Sequence, residues 1–390
     1  MNNISRWHII STGLAIFSMF FGAGDLIYPI MVGVTSGQHN LIGLAGFLIT
    51  TVLLPLAGLV AMILFDGDYK AFFNRLGNIP GQLLIATCMI IIGPLIAIPR
   101  ITTLSHTMIA PFIPWEILRT ITPFSSALFA FIFLGITFLA TYRENKIVDL
   151  LGTIVSPLLL ISLAIIIIKG FFSQSAPITA GDDLLNIFQI NFMRGYETLD
   201  LLAAIFFASI VIKILRQTTE SNIKTLAWFG LQAGLLGVFL LALVYIGMSY
   251  LGVNHGAELA GNAGEIFREI SFRVLGGHGA LIIATAVLMA CLSTSIALGA
   301  VVAEYFKEVI CKNRIGFVTS LALVMLASIP LSIYGLGAVL SLTGGIITYV
   351  GYPVMIALTF ANIAYKLCNF RPVVVPVLAT FVIALVSYYR

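Results

Sequence analysis

The chain has 390 residues, of which 60% are hydrophobic and 9% charged, and its formal net charge is +4. A soluble domain carries about 25% charged residues, so this composition excludes an ordinary soluble enzyme and a disordered chain, and no dense basic cluster points to nucleic acid. The apolar residues fall in long runs rather than in alternating ten-residue segments, which predicts membrane-spanning helices and not a β-barrel.

A span needs about 20 apolar residues. Eleven runs qualify, near 9–31, 41–64, 81–109, 124–141, 147–169, 196–215, 225–251, 279–305, 315–334, 336–363 and 373–389. The first is interrupted where an unbroken helix is expected. It reads Phe20-Phe21-Gly22-Ala23-Gly24-Asp25-Leu26-Ile27-Tyr28-Pro29. A carboxylate at bilayer depth costs about 2.5–3.5 kcal/mol on insertion scales, so it is rarely idle. Glycines at that depth let the backbone unwind. Carbonyls from Ser18 to Phe21 would then suit a small cation, and amides from Ala23 to Leu26 a carboxylate.

The third span holds Ile92-Gly93-Pro94-Leu95-Ile96-Ala97-Ile98-Pro99-Arg100. Arg100 either snorkels to the outer face or pairs with a carboxylate in the pathway. His106 reads as a polar interface residue before a proton relay. The run 170–195 reads as an external loop with Pro177, Gly181, Asp182 and Asp183. The sixth span, Gly195-Tyr196-Glu197-Thr198-Leu199-Asp200 onward, has small residues and the paired aromatics Phe206 and Phe207 in its middle. Glu197 and Asp200 are expected at the outer interface, where water solvates them. Ala263 to Leu275 reads as a short amphipathic helix over the outer face. The eighth span contains Ala290-Cys291-Leu292-Ser293-Thr294-Ser295, three hydroxyls that either bond the carbonyl one turn back or ligate a hard cation. The tenth span carries a second candidate break at Tyr352-Pro353.

Thirteen of the 20 Lys and Arg residues fall on one side, among them Arg6, Lys70, Arg75, Arg143, Lys146, Lys213, Arg216 and Lys307. That bias puts the N-terminus in the cytoplasm. Cys88, Cys291, Cys311 and Cys368 are scattered and read as small buried apolar residues. No metalloprotease, P-loop or nucleophile-elbow motif is present, so neither an enzyme nor an ATPase is expected, and no cofactor is required. Uphill transport would draw on an ion gradient. Spans one to five (9–169) and six to ten (196–363) each open on a polar-interrupted helix. Five being odd, the second block would be inverted, the arrangement of one large transporter architecture, with 373–389 as an extra helix.

Taken together, the Phe21–Pro29 and Gly93–Arg100 motifs, Gly195–Asp200, and Cys291–Thr294 through Ala303-Glu304-Tyr305-Phe306 resemble the branched-chain amino acid:cation symporter family, the bacterial BrnQ-type carriers. The resemblance covers nearly the whole chain. It implies an all-α, LeuT-like fold of five plus five helices with helices 1 and 6 broken. It also implies inner-membrane uptake of leucine, isoleucine and valine with Na⁺ or H⁺ by alternating access. By similarity the cation would meet Ser18, Phe21, Ala290, Ser293 and Thr294, with Na⁺ at the last two. The substrate would meet Gly22, Ala23, Gly24 and Asp25 through its carboxylate, and Ile205, Phe206, Phe207 and Ala208 through its ammonium. Asp25 and Arg100 are candidates for coupling or gating. The chain departs from the family pattern at Asp25 (usually Asn), at Thr107 (usually acidic), at Ala204 and Ala208 (usually glycine), and in ending after eleven spans where members often have twelve. The first two departures suggest a carboxylate moved from the third helix to the first. Another apolar amino acid such as methionine, a small organic cation, a channel and a non-transporting sensor are the alternatives. The expected partners are the substrate and the lipid bilayer, with no nucleic acid and no ATPase subunit.

Overall fold

A computed structural model describes residues 6–142, 156–173, 178, 183–218 and 223–389, with the backbone alone at 6, 156, 209–210, 213–218 and 223–227. Arg143, Lys146, Pro177, Gly181 and Asp182 lie outside the described residues, as does the expected start of the fifth span. Every regular element among the described residues is helical. Six helical runs are long and apolar enough to cross a membrane, and shorter apolar helices accompany them at Trp7–Phe20, Pro157–Phe172, Phe317–Ser332 and Val374–Tyr388.

The first span is two helices. α1 (Arg6–Phe20) stops at Phe21 and Gly22, and α2 (Ala23–Ser36) starts at once. Gly22 is extended there (φ −108°, ψ −163°). Asp25, in the first turn of α2, accepts the Gly22 N–H at 2.8 Å, so a carboxylate caps the helix whose free amides it faces. Pro29 lies inside α2, and its missing N–H takes the helical donor from the Asp25 carbonyl.

The second span joins α3 (Asn40–Leu48) to α4 (Leu54–Leu64) through a π turn at Ile49–Leu53. Short α5 (Tyr69–Phe73) follows, capped by Asp68. The third span joins α6 (Asn78–Ile90) to α7 (Ala97–Ile109) through a second π turn, where Gly93 leaves helical geometry before Pro94. α8 (Glu116–Arg119), α9 (Pro123–Thr141) and α10 (Ser156–Phe172) lead to the second interrupted span. Here α11 (Leu184–Tyr196) precedes α12 (Asp200–Thr218). Much of the stretch expected as an external loop is therefore helix. The alternation of Leu184, Leu185, Ile187 and Phe188 with polar residues hid it, because α11 buries only one face.

α13 (Ile223–His255) is one long helix. α14 (Ala263–Tyr305) contains the predicted short helix and the eighth span, divided at Gly276 (φ 69°). Ile266, Phe267, Ile270 and Val274 form the buried face of the short part. α15 (Phe317–Ser332), α16 (Gly335–Thr343), α17 (Tyr352–Cys368) and α18 (Val374–Tyr388) complete the bundle. The tenth span is irregular just before Tyr352, with a π turn at Ile347–Gly351.

Packing places both breaks in the core. α13 lies along α1 and α2, while α11 and α12 lie along α3 and α4, and α14 lies along α7. The two broken spans thus make reciprocal contacts, the first with the seventh and the sixth with the second. Glycines set the distance. A Cβ on Gly33 would sit 1.9 Å from the Ser249 carbonyl oxygen, and one on Gly252 2.1 Å from that of Ile30. On the other pair, a Cβ on Gly46 would sit 2.6 Å from the Phe188 carbonyl oxygen. Outside, Phe131, Leu139, Ile161, Ile168, Phe239 and Ile383 are exposed, the apolar coat that a lipid-facing bundle needs.

Candidate functional site between two helix breaks

The second break lies at Glu197, Thr198 and Leu199. Leu199 has φ +69°, which costs a non-glycine residue about 1–2 kcal/mol. Tertiary contacts hold it. The Arg100 guanidinium donates from one Nη to the Glu197 carbonyl and from the other to the Thr198 carbonyl at 2.9 Å. Those are acceptors that the break releases from helical bonding. The Tyr352 hydroxyl oxygen accepts the Leu201 N–H at 3.0 Å and so caps α12, and its ring stacks on Tyr196 with centroids 4.7 Å apart. Arg100 is 4% exposed, and both its Nη groups donate to backbone carbonyls. It does not snorkel to a surface; it braces the sixth span.

The breaks face one another across a narrow cavity. Gly22, Ala23, Asp25, Arg100, Thr198, Asp200 and Thr294 supply its polar lining. Met19, Phe20, Ile92, Ile101, Ala203 and Leu298 are among its apolar walls. Binding sites for small molecules share this mixture of apolar wall and few polar groups.

Asp25 accepts at both carboxyl oxygens. The Tyr245 hydroxyl of α13 donates to Oδ1 and the Gly22 N–H to Oδ2. Asp200 is 2% exposed, so it does not sit solvated at an interface as its place in the sequence suggested. It opens α12, lines the cavity, and its carboxyl lies against that of Asp25. Its Oδ2 is buried without a hydrogen-bond partner. Glu197 is half-buried and contributes its carbonyl to the break.

The residues predicted from sequence divide into three groups. Gly22, Ala23, Asp25, Arg100 and Thr294 meet at the cavity. Gly24 lies just behind it, where a Cβ would come 3.1 Å from Thr198 Cα and 3.2 Å from Arg100 Nη2, so glycine eases the close approach of the two breaks. Phe21 presents its carbonyl to the Thr294 hydroxyl, which donates at 3.2 Å, so the eighth span touches the first break. Ser293 donates to the Ala290 carbonyl at 2.8 Å. Ser18 is buried one turn before the break, with no partner for Oγ.

Ile205, Phe206, Phe207 and Ala208 lie elsewhere. They are buried inside unbroken α12, beyond the break, and their carbonyls belong to the helix rather than to the cavity. Phe206 stacks on Phe73 of α5 at 5.7 Å instead. His106 and Thr107 line a second small space, away from the breaks. His106 bonds the Leu118 carbonyl at 2.9 Å and stacks on Phe129; Thr107 donates to the Thr103 carbonyl.

Three contributors escaped sequence reasoning. Asp200 carried a signal, a carboxylate heading a long apolar run, but its neighbours made an interface position the simpler reading. Tyr245 and Tyr352 carried none, since tyrosines within apolar spans ordinarily pack.

Comparison with known proteins agrees with this architecture. The family described as branched-chain amino acid transport protein matches residues 5–390. The chain is 30% identical over 366 residues to the branched-chain amino acid permease BraB of Bacillus subtilis, covering 92% of this chain and 80% of that one. It is 28% identical over 355 residues to the branched-chain amino acid permease BrnQ of Escherichia coli K12, covering 90% and 79%. Among solved structures, the nucleobase-cation-symport-1 family transporter Mhp1, closed on bromovinylhydantoin, superposes with a TM-score of 0.61 at 14% identity, over 96% of this chain and 91% of that one. A substrate-bound Na⁺-coupled sialic acid symporter gives 0.57 at 13% identity, over 96% and 88%. The fold is that of the LeuT-like transporters, and the family is one of transport proteins rather than enzymes. The chain belongs to the branched-chain amino acid transport protein family.

Proposed function

We propose that this protein is a secondary active symporter that imports leucine, isoleucine and valine across the cell membrane with Na⁺ or H⁺, by alternating access. The observation that carries the reading is the cavity itself, walled by apolar side chains and bounded by two helix breaks. A zwitterionic amino acid needs partners for one positive and one negative group, and otherwise only apolar wall. The carboxyls of Asp25 and Asp200 suit an ammonium. Arg100 and the amides at the start of α2 suit a carboxylate. The Met19, Phe20, Ile92, Ile101 and Leu298 side chains suit a branched aliphatic group. One methylene is worth about 1–3 kcal/mol in such a wall, so selectivity among valine, isoleucine, leucine and methionine is shallow.

The reciprocal packing of the broken spans supports two inverted five-helix units whose relative motion exposes the site to either side in turn. The distribution of basic residues supports a cytoplasmic N-terminus, and the resemblance to bacterial carriers supports placement in the inner membrane of a two-membrane cell. The test is uptake of labelled leucine, isoleucine, valine and methionine into proteoliposomes with sodium and proton gradients imposed separately. Saturable accumulation driven by either gradient supports the reading. Absence of accumulation under both, in vesicles holding folded protein, removes it.

A further inference from the structure

Two carboxyl groups lining one largely apolar cavity, one against the other, pose an electrostatic problem. Arg100 contributes one positive charge. Asp25 takes two donors, Tyr245 Oη–H and Gly22 N–H, and so presents only acceptors, as an ionised carboxylate does. Arg100 and Asp25 together are neutral. Asp200 then decides the charge of the site. Its Oδ2 is buried with no donor, and the hydroxyl next to it, Thr198 Oγ1, gives its proton to the Gly195 carbonyl at 2.9 Å. The charged and titratable groups around it are Asp25 from α2, Arg100 from α7, Tyr245 from α13 and Tyr352 from α17; α14 offers the neutral Thr294. Tyr245 is committed to Asp25, and Tyr352 accepts from the Leu201 N–H. Two carboxylates sharing a site cannot both ionise cheaply, and one of them holds a proton.

We propose that Asp200 is the carrier of the coupling proton, with Asp25 its permanently ionised partner, so that this chain is a proton symporter. The proposal deepens the transport reading above and rests on it. The step is a simple protonation: Asp200 Oδ2 takes one H⁺ from the outer side, and the site goes from one net negative charge to none. A zwitterion then enters without changing that count. After the cavity opens inward, the proton leaves Asp200 to the cytoplasm and the amino acid follows. No bond other than O–H forms or breaks.

The test uses the full chain in sodium-free proteoliposomes with the membrane potential clamped. A gradient of about one pH unit supports about tenfold accumulation at one proton per leucine. The wild type is expected to reach that ratio and to alkalinise the outer medium as leucine enters. Asp200→Asn is expected to lose both, its inside-to-outside ratio falling to unity. Asp200→Glu, which keeps a carboxyl, is expected to retain coupling. Sodium-driven accumulation without proton movement in the wild type, or pH-driven accumulation retained by Asp200→Asn, would overturn the proposal. If the wild type shows no leucine counterflow, the transport reading itself fails, and the proton is read separately by infrared difference spectroscopy between acid and neutral pH. A carboxylic-acid C=O band lost in Asp200→Asn but kept in Asp25→Asn supports Asp200; the same band kept in Asp200→Asn refutes it.

Discussion

Single groups hold the two breaks open, and their removal has calculable effects. Tyr245→Phe deletes the donor to Asp25 Oδ1 and leaves a buried carboxylate oxygen unpaired. The cost is about 1–3 kcal/mol, expected as a lower melting temperature in detergent; an unchanged melting curve would contradict the assigned bond. Arg100→Lys keeps the charge but not the fork. A single ammonium cannot span the Glu197 and Thr198 carbonyls as the guanidinium does. Leucine uptake is expected to fall at least about tenfold, the equivalent of 1.4 kcal/mol, with normal membrane yield; wild-type rates in Arg100→Lys would show that the brace is dispensable. Gly24 is the third such residue, since any side chain there would push Thr198 and Arg100 away from α2.

Elements meet at backbone distance, and this fixes where substitutions are tolerated. Gly33→Ala would drive a methyl into the Ser249 carbonyl and separate α2 from α13. It is expected to lower stability and expression markedly. Gly135→Ala, on the outer face of α9 with nothing within 4 Å, is expected to be neutral or to stabilise by up to about 1 kcal/mol. Equal melting temperatures for the two variants would refute the close approach. The same physics explains what was legible in the sequence. The first break announced itself because its chemistry is local: Gly22, Gly24, Asp25 and Pro29 each disfavour a continuous membrane helix. The sixth break did not. Between Gly195 and Asp200 there is no glycine or proline, and Leu199 is held at positive φ by Arg100, ninety-nine residues upstream, and by Tyr352. Local propensity cannot report a distortion imposed by distant partners, so the small and aromatic residues at Ile205–Ala208 drew attention instead. Those residues are core, packed against α5. Asp200 was misplaced for the same reason, since its depth depends on where the helix starts.

At the scale of the whole molecule, composition alone gave an all-helical membrane protein, and the family motifs gave its architecture. The reciprocal contacts of the broken spans could not be read from sequence, since the halves share no visible identity. In the resulting bundle the two breaks, α7 and α14 enclose one space, and the central claim is that an aliphatic amino acid occupies it. Ala203, on the first turn of α12, is part of the wall and touches neither Asp25 nor Arg100 in any hydrogen bond. Ala203→Leu therefore fills the space without disturbing the charged groups. The most direct measurement is equilibrium binding of labelled leucine to the purified protein, wild type beside Ala203→Leu. The account predicts saturable binding to the wild type, displaced by valine and isoleucine. It predicts at least about tenfold weaker binding, or 1.4 kcal/mol, to the variant at an unchanged melting temperature. Leucine bound equally well by both would place the substrate outside this cavity and contradict the account.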